Sequence, residues 1–406
     1  MKILIVTSKF PRYKNDPQPG FVYYLAKELI KKGHNIYVSA PHDYKAKEFE
    51  ISEGAEIHRI KYFIPAKMQR LFYGSGLPAN IGTSILPFIQ LPIFSLLQYI
   101  KVKNLIKKIR PDIIHVHWGF PQGLPVMNSK KPYIVTIYGG EVFMTKKFHL
   151  IWILDKIMEN SYKTFTLTSG LTKVMREYGF RSKLQSIPLG FDKEVFNPNI
   201  KDYKKIRAKY CKNNELMILS VARLVEKKGL EYLIRAFHKV NKKRKDVKLV
   251  IVGSGILRNK LEQLVKDLKL NDNVFLVGEI THDVLPKYYK ASDIFVLPSI
   301  IDSQGDRETQ GVVYVEAMAT KIPVIGTNTG GIPDVISSKN LGILVEQKNP
   351  DQLTEAILKL LNDKDLREYY ADNAYNHVMK NFTWESIANK YIKVYNEILN
   401  YKKERK

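Results

Sequence analysis

The fold class is decided by residues 216–255, which read LMILSVARLVEKKGLEYLIRAFHKVNKKRKDVKLVIVGSG. This stretch opens with a short apolar run, LMILSVAR, continues as an amphipathic segment, GLEYLIRAFHKVNKK, and returns to a second apolar run, KLVIVGSG. Short β-branched runs predict buried strands, and apolar residues spaced by three or four predict a helix. A strand, a helix and a second strand in succession predict a parallel sheet covered by helices.

The same alternation runs through most of the chain. Further candidate strands are KILIVTS, NIYVSAP, DIIHVHW, YIVTIYG and TFTLTS in the first half, and NVFLVGE, DIFVLPS and PVIGTN in the second. The series restarts after a loop, PLGFDKEVFNPN, that carries two prolines and a glycine. We therefore predict two doubly wound α/β domains that face a central cleft, residues 1–195 and 196–380, followed by a helix in residues 381–406.

Composition and charge narrow the class of protein. A length of 406 residues with 45% hydrophobic residues predicts about two domains, each with its own core. Cys211 is the only cysteine, which fits a reducing cytosol, and the opening strand leads us to expect no secretory signal peptide. The net charge of +25 favours anionic partners such as phosphates, nucleic acid or an acidic membrane. A general lysine bias on solvated helix faces accounts for it equally well.

One apolar stretch, NIGTSILPFIQLPIFSLLQYI (residues 80–100), carries no charge. It is long enough to span a bilayer, but Pro87 and Pro92 are expected to break a lipid-exposed helix. Basic residues follow it between Lys101 and Arg110. An apolar anchor beside cations is typical of a segment lying on an anionic membrane, and residues 80–110 are a candidate for such a segment. The alternative is a loop and helix packed into the first domain.

Three residues at strand ends are candidates for binding phosphate. Arg223 leaves the first strand of the second domain, and Lys228 stands five residues on, just before a helix. Two cations near a helix N-terminus suit a diphosphate, although both could be solvated loop residues. Gly253 ends the next strand, where glycine allows a ligand to approach the backbone; a tight turn would need it equally.

Two glutamates in GDRETQGVVYVEAMAT (residues 305–320) are candidates for binding sugars. Glu308 ends a loop, and Glu316 follows one to two helical turns later. Carboxylates accept hydrogen bonds from sugar hydroxyls, so the two could hold different sugar rings. The alternatives are the acid–base pair of a glycoside hydrolase and two surface glutamates.

Here the sequence resembles a known family. The ordered segments ARLVEKKG, VGSG, ASDIFVLPS, ETQGVVYVEAMA, GGIPDVI and GILVEQKNPDQL resemble the donor domain of retaining glycosyltransferases of family 4, which have the GT-B fold. In the first domain, GFVYYLAKELIKKGHNIYV, DIIHVHW and TIYGGEV resemble the acceptor half. The segment FTWESIANKYIKVY resembles the C-terminal helix that crosses back to the first domain.

The resemblance implies a role for each matching residue. Arg223 and Lys228 match the family's cations on the donor diphosphate. Glu316 matches the glutamate that binds the nucleotide ribose, and Glu308 matches the one near the donor sugar. Further donor contacts are implied for Gly253 and for the backbone of Gly20, Gln310, Gly311 and Val312.

The first domain departs from the family at one position. Tyr138 stands where the family often has a histidine that helps to form the active site. His117 is the best remaining histidine near the expected cleft, and a packed strand-end histidine is the alternative. We take both residues as catalytic candidates, together with Glu308, Arg223 and Lys228.

The resemblance implies transfer of a sugar from a nucleotide-sugar, UDP- or GDP-linked, to a hydroxyl with retention of anomeric configuration. We expect no metal ion and no other cofactor, because the cations and helix amides can stabilise the leaving diphosphate. The expected acceptor is a glycan or a lipid-linked glycan of surface polysaccharide, lipopolysaccharide-type or glycoprotein assembly. The expected place is the cytoplasm, peripherally on the inner membrane face.

Two other classes fit parts of the pattern. A nucleotide-sugar 2-epimerase has the same fold, and a nucleic-acid-binding protein would use the positive charge. We expect no nucleic acid, since such a partner leaves the paired cations and glutamates without a purpose.

Overall fold

In a computed structural model the chain divides into two compact units, Met1–Pro188 with Trp384–Lys406, and Leu189–Thr383. The structure describes residues 1–14, 16, 20–74, 76–81, 84–212 and 214–404. The first boundary falls after Pro188, not after residue 195 as predicted, because the linker already belongs to the second unit. There the Phe191 N–H donates to the Phe382 carbonyl at 2.9 Å, and Leu189 pairs with the Gln310 side chain. The second boundary follows Thr383 instead of residue 380.

The first unit contains an eight-stranded sheet with the order β3-β4-β2-β1-β5-β6-β7-β8. Its strands are β1 Lys2–Val6, β2 Asn35–Pro41, β3 Phe49–Ser52, β4 Ala55–Ile60, β5 Ile113–His117, β6 Tyr133–Ile137, β7 Lys163–Thr166 and β8 Leu184–Ser186. All pairs are parallel except β3 with β4, an edge hairpin that the sequence analysis did not predict. Every residue of β5 and β6 is buried, as parallel strands between two helical layers require.

In the described part of the first unit, seven helices precede the domain boundary. They are α1 Phe21–Lys31, α2 Leu77–Asn80, α3 Ile85–Ile109, α4 Gly119–Gln122, α5 Gly140–Lys147, α6 Ile151–Glu159 and α7 Ser169–Glu177, with a 3-10 turn at Ala66–Met68. Helix α1 buries a stripe spaced by three and four residues: Val22, Leu25, Ala26 and Leu29. Thr168 caps α7, because its side chain accepts the Leu171 N–H at 3.2 Å.

Residues 85–100 of the apolar stretch lie in one continuous helix, α3, which has 25 residues and ends at Ile109. The break predicted at Pro87 and Pro92 is therefore wrong. Pro87 lies in the first turn, where a backbone N–H has no helical partner to lose. Pro92 lies inside the helix, and the Ser95 hydroxyl donates to the neighbouring Leu91 carbonyl at 2.8 Å. Residues 82 and 83 of this stretch lie outside the described residues.

Helix α3 is also the one helix in the described ranges long and apolar enough to cross a bilayer. Its most apolar window has a mean hydropathy of 1.5, and 28% of that window is buried within the protein.

The second unit contains a six-stranded parallel sheet with the order β11-β10-β9-β12-β13-β14. Its strands are β9 Leu216–Val221, β10 Val247–Val252, β11 Val274–Gly278, β12 Ile294–Val296, β13 Val324–Thr327 and β14 Ile343–Val345. Its helices are α8 Tyr203–Tyr210, α9 Leu230–Lys243, α10 Arg258–Asp267, α11 Leu285–Ala291, α12 Val312–Ala319, α13 Ile332–Val335, α14 Pro350–Asn362 and α15 Lys364–Asn381, with a 3-10 turn at Glu226–Lys228.

The C-terminal helix, α16 Trp384–Glu404, belongs to the first unit. The Trp384 ring stacks on Tyr24 of α1, with 5.9 Å between the ring centroids. Farther along the helix, the Tyr395 hydroxyl forms a 2.7 Å hydrogen bond with Nδ1 of His115, which lies on β5. The Tyr391 hydroxyl reaches Thr136 of β6 at 3.0 Å. The helix thus adds both apolar and polar contacts to the buried sheet of the first unit.

Candidate active site

The second unit has the topology that creates a ligand crevice. Numbered along the chain within that unit, its strands lie in the order 3-2-1-4-5-6, so the first strand, β9, is next to the fourth, β12. Connections leave these two neighbours toward opposite edges of the sheet, which opens a crevice beyond their carboxyl ends. Arg223 follows β9, and the loop after β12 leads to Glu308. The candidate donor residues therefore lie at the switch point.

The loops after β9 and β12 are packed against each other. Gly229 has a φ of 64°, and a Cβ there would lie 1.9 Å from the Pro298 carbonyl oxygen. The Ile300 N–H donates to the Lys227 carbonyl at 2.8 Å. Only glycine permits this approach, and the approach brings the lysines of the first loop to the acidic residues of the second.

The central contact of this region is an ion pair between Lys228 and Glu308. Both side chains are only 13% exposed. Burial alone would raise the pKa of Glu308, but the charge and hydrogen bond of Lys228, with Lys227 nearby, lower it below its ordinary value. Glu308 is therefore ionised. Lys228 is not the free cation that its position in the sequence suggested, because its charge is shared with this carboxylate.

Arg223 differs from Lys228 because its side chain is exposed to solvent. Its side chain is exposed and makes no hydrogen bond or ion pair within the described ranges. A guanidinium can bind two phosphate oxygens at once. Of the two predicted cations, Arg223 is thus the one free to receive an anion directly.

The glycine pair after β13 holds Glu308 in place. The Gly331 N–H donates to the Glu308 carbonyl oxygen at 2.9 Å. Gly330 has a φ of 58°, and a Cβ there would lie 2.1 Å from the same oxygen. These two glycines therefore position the Glu308 loop.

The start of α12 offers open backbone amides. Gly311 precedes the helix with a φ of 79°, and no side chain caps it. Val312 is the first helical residue, so its N–H has no partner within the helix. The Gln310 side chain is already occupied: Oε1 accepts the Leu189 N–H at 2.7 Å, and Nε2 donates to the Leu189 carbonyl at 3.1 Å. The side chain of Gln310 is therefore not available to a ligand, and the backbone contact that the resemblance implied stays a prediction.

Glu316 lies deeper than Glu308, on α12. Its residue is 9% exposed, and its Oε2 accepts the Tyr289 hydroxyl at 2.8 Å. Burial raises the pKa of Glu316 to about 7, although the Tyr289 hydrogen bond lowers it in part. The two glutamates therefore differ in depth, as predicted, and also in charge, since one is held ionised and the other is only half ionised at neutral pH.

Close packing against the backbone of Ala222 requires a glycine at position 253. Its φ is 137°, and a Cβ would lie 1.9 Å from the Ala222 carbonyl oxygen. Its N–H donates to the Gly278 carbonyl at 2.8 Å, so this amide is not available to a ligand. The alternative of a tight turn accounts for this residue.

The first unit brings together His117, at the end of β5, and Tyr138, just after β6. The Tyr138 hydroxyl and Nδ1 of His117 form a 2.8 Å hydrogen bond, and the Tyr138 ring stacks on Trp118 with centroids 4.1 Å apart. Burial lowers the pKa of His117 to about 3 and raises that of Tyr138 well above its ordinary value. Burial therefore favours the neutral form of both residues, and the catalytic role expected for them stays a prediction.

Gly20 occupies the predicted place at the start of α1. Its φ is 80°, and the side chain of Lys9 lies beside it, with Cγ 3.5 Å from the position of a Cβ. Burial lowers the pKa of Lys9. The loop after β1 thus presents a backbone turn with a cation next to it.

Sequence reasoning missed Glu141, which follows Tyr138 closely and lies in the first turn of α5. It is 2% exposed, and its Oε1 accepts the Tyr138 N–H at 3.0 Å. Its Oε2 and Nε2 of His117 are buried atoms that have no hydrogen-bond partner in the part of the chain described. Burial raises the pKa of Glu141 to about 7. The signal available was an acidic residue directly after two glycines at a strand end.

No group of three or more His, Cys, Asp or Glu side chains that could hold a metal ion occurs within the described residues.

Two family models match the chain. Residues 20–195 match the model of Glycosyltransferase Family 4, and residues 202–377 match that of Glycosyl transferases group 1. The chain therefore belongs to the family 4, group 1 glycosyltransferases, and the protein is a glycosyltransferase.

Curated relatives agree with this assignment. An uncharacterized glycosyltransferase of Methanocaldococcus jannaschii is 29% identical over 97% of this chain and 98% of its own length. A GDP-mannose-dependent α-(1-6)-phosphatidylinositol monomannoside mannosyltransferase of Mycobacterium tuberculosis is 28% identical over 56% of this chain and 59% of its own length.

Among solved structures, sucrose-phosphate synthase from Thermosynechococcus elongatus has a TM-score of 0.77 at 22% identity, covering 99% of this chain and 100% of that one. A glycosyltransferase from Rickettsia africae has a TM-score of 0.74 at 23% identity, covering 98% of both. These similarities establish the fold, which is GT-B, and the predicted family and fold class are confirmed.

Proposed function

We propose that the protein transfers a sugar from a UDP- or GDP-linked donor to a hydroxyl of a glycan or lipid-linked acceptor, with retention of configuration and without a metal ion. The observation that carries this proposal is the Lys228–Glu308 pair at the switch point of the second unit, with the open Arg223 on the same loop as Lys228. A diphosphate meets positive charge there, and a sugar meets an ionised carboxylate.

In this proposal Arg223 binds the donor diphosphate through its guanidinium, and Lys228 contributes a second positive charge. The amide of Val312 and the backbone of Gln310 and Gly311 add donors at the start of α12. Charge accumulates on the diphosphate as the glycosidic bond breaks, so preorganised cations and amides lower the barrier to cleavage. This is the role that a metal ion has in other transferases.

The two glutamates select the two sugar rings of the donor. Glu308, ionised by its contact with Lys228, accepts hydrogen bonds from the transferred sugar. Glu316 accepts hydrogen bonds from the ribose hydroxyls, which favour its charged form. Binding of the nucleotide is therefore expected to lower the pKa of Glu316 from about 7.

Retention follows if the acceptor hydroxyl attacks from the face that the diphosphate leaves, and the departing phosphate oxygen takes the hydroxyl's proton. His117 and Tyr138 then orient a hydroxyl through hydrogen bonds and remain neutral, since the pKa of His117 is about 3. No protein base is required in this step.

The exposed apolar face of α3 supports the proposal that the enzyme associates peripherally with a membrane. Phe88 is 56% and Leu96 62% exposed, and Trp152 on α6 is 66% exposed. The basic side chains of Lys107 and Lys108 lie at the end of the same helix. Apolar side chains with lysines beside them insert into an anionic leaflet. We therefore place the enzyme in the cytoplasm, peripherally on the inner membrane face, where it meets lipid-linked acceptors.

Two relatives carry names consistent with parts of this proposal. The mycobacterial mannosyltransferase is named for GDP-mannose and for a phosphatidylinositol acceptor. An Anabaena protein of 16% identity was solved in complex with UDP. Both donor classes therefore belong in the test.

The donor site is tested by melting the protein with UDP-, GDP-, ADP- and CMP-sugars. One nucleotide is expected to raise the Tm of the wild type and to lose most of this effect with Arg223→Ala. Arg235→Ala, an exposed arginine on α9, is the matched control and should keep the full shift. Absence of any shift at millimolar nucleotide would reject the donor site.

The reaction is tested with the donor identified in this way. NMR of the product is expected to show the anomeric configuration of the donor, and added chelator should leave the rate unchanged. Conversion of the donor sugar without an acceptor would indicate a 2-epimerase instead.

Membrane binding is tested by flotation with vesicles containing phosphatidylglycerol. Phe88→Ser with Leu96→Ser should abolish flotation, whereas Ile256→Ser, which changes an 89% exposed residue of the second unit, should not. Equal flotation of all three proteins would argue against the α3 face.

A further inference from the structure

The first unit has a polar pocket that none of the roles above uses. Its volume is about 630 Å³, and its walls come from the segments that follow β1, β2 and β4. The carboxyl ends of these strands form the edge of a doubly wound sheet where ligands bind. The pocket therefore lies on the ligand-binding edge of the unit that the resemblance assigns to the acceptor.

The walls of this pocket carry an excess of positive charge. Three cations, Arg12, Lys67 and Arg70, line it with one anion, Asp43. Asp16 pairs with Arg12, so the excess is one positive charge. The side chains of Lys67 and Arg70 are exposed and make no hydrogen bond or ion pair in the described part of the chain. Unpaired cations at the mouth of a pocket attract anions.

Arg12 is held in a fixed orientation. Its Nε and Nη2 each donate to a separate oxygen of Asp16 at 2.8 Å, and the Asp16 side chain is fully buried. The guanidinium also lies 5.4 Å from the centroid of the Tyr73 ring. The hydrogen bond and the charge of Asp16 raise the pKa of Arg12, so it stays charged at every pH of interest.

The remaining walls are rigid because their polar groups are bonded to backbone. The Tyr73 hydroxyl donates to the Phe10 carbonyl at 3.1 Å, and Asn80 Nδ2 donates to the Tyr73 carbonyl at 3.0 Å. A pocket formed before the ligand arrives needs little ordering on binding, which favours affinity.

We propose that this pocket binds an anionic group of the acceptor, a phosphate or a carboxylate, through Lys67 and Arg70. The inference rests on the proposed transferase function, since it makes the ligand an acceptor. A neutral glycan gains nothing from two unpaired cations, whereas a phosphate or carboxylate pairs with both of them. The acceptor class is therefore an anionic one.

The test uses the full chain with its donor site filled by saturating nucleoside diphosphate, so that other anions cannot bind at Arg223. Calorimetry then measures the affinity for glycerol 3-phosphate, for succinate and for neutral glycerol. We expect the two anions to bind, with affinity falling as salt rises, and glycerol not to bind.

The variant Lys67→Ala with Arg70→Ala is expected to weaken binding of glycerol 3-phosphate at least tenfold and to leave nucleotide affinity within twofold of wild type. The control Arg181→Ala with Lys183→Ala removes the same charges from exposed positions outside the pocket and should leave both affinities unchanged. Equal affinity for the anions in all three proteins, or none in the wild type, would overturn the proposal.

A second arm identifies the source of the anion. Vesicles containing phosphatidic acid are compared with soluble glycerol 3-phosphate as competitor, in wild type and in the Lys67→Ala, Arg70→Ala variant. Competition that the variant loses assigns a lipid phosphate; binding of the soluble phosphate alone assigns a soluble acceptor. A wild type that binds no nucleotide would reject the donor-site proposal separately, because that measurement does not involve this pocket.

Discussion

Replacing Glu316 by glutamine is expected to stabilise the second unit at alkaline pH and to change its stability little near pH 4.5. Burial raises the pKa of this carboxyl from 4.5 to about 7. A native pKa above the unfolded one means that the group's contribution is fully present below pH 4.5 and is lost as pH rises through 7. A pKa difference of one unit changes the free energy of unfolding by about 1.4 kcal/mol, so the wild type loses about 3 kcal/mol of stability above pH 8. Glutamine does not ionise and escapes this loss.

The measurement must report on the second unit alone. The three tryptophans, at positions 118, 152 and 384, all belong to the first unit, so their fluorescence follows that unit only. Hydrogen exchange of amides in β9 and β10, corrected for intrinsic rates, gives the free energy of opening of the second unit at pH 5 and pH 8.5. Glu355→Gln, on an exposed face of α14, is the matched control and should have no pH-dependent effect.

The expected result is a gain of about 3 kcal/mol for Glu316→Gln at pH 8.5 and less than about 1 kcal/mol at pH 5. The fluorescence transition of the first unit should not move. A gain of equal size at both pH values, or a loss at pH 8.5, would refute the reasoning that burial of the charge dominates at this site. If Glu355→Gln shows the same gain in stability, the change in net charge causes it and not the burial of Glu316.

Three further predictions concern stability. Lys228→Met should lower stability by about 3 kcal/mol, because it leaves Glu308 buried without its cation, and Glu308→Gln in the same chain should restore most of the melting temperature. Gly330→Ala should lower the free energy of unfolding by more than about 2 kcal/mol, since its Cβ would meet the Glu308 carbonyl at 2.1 Å. Gly305→Ala has a φ of 79° but open space around the new Cβ, so it should lower the free energy of unfolding by about 1 kcal/mol. Denaturant titration measures both values. Thr168→Ala should cost about 1 kcal/mol in the urea unfolding of the first unit, because α7 loses its cap.

The fold could be predicted from the sequence wherever hydrophobic patterning alone determined the local structure. Strands buried on both faces read as continuous apolar runs, and all ten candidate strands correspond to strands in the structure. The hairpin β3–β4 was missed because β3 is largely exposed and both strands carry charged residues, such as Glu50 and Glu56. Its signal was Gly54, with a φ of 84° between the two strands, which suits a tight hairpin turn.

The helix α3 shows how context overrides a local rule. Proline disfavours a helix through a lost hydrogen bond and a clash with the preceding turn, which predicted breaks at Pro87 and Pro92. One proline falls where no hydrogen bond is lost, and the packing of buried residues such as Phe94 and Val102 offsets the cost of the other. Neither the helix start nor those tertiary contacts could be read from the local sequence.

The candidate site was predictable in its positions and not in its pairings. Strand ends are visible in a sequence, and so are charged residues that follow them, which is how Arg223 and Lys228 were found. Which charge neutralises which depends on loops that lie 80 residues apart, as Lys228 and Glu308 do. The depth of Glu141 was hidden for the same reason, because burial of a first-turn carboxylate depends on the neighbouring strands.

In the proposed function, that pairing changes how the site would bind a nucleotide-sugar. An ammonium group has three hydrogens, and Glu308 uses one side of it, so Lys228 can bind a phosphate oxygen without giving up the carboxylate. A free lysine would bind phosphate more strongly but would leave its own position undefined. With Glu308 fixed by Gly330 and Gly331, the ammonium is fixed as well, and the open Arg223 supplies the charge that remains uncommitted. We infer that Arg223 sets the affinity for the diphosphate, whereas the Lys228–Glu308 pair sets where the sugar lies relative to it.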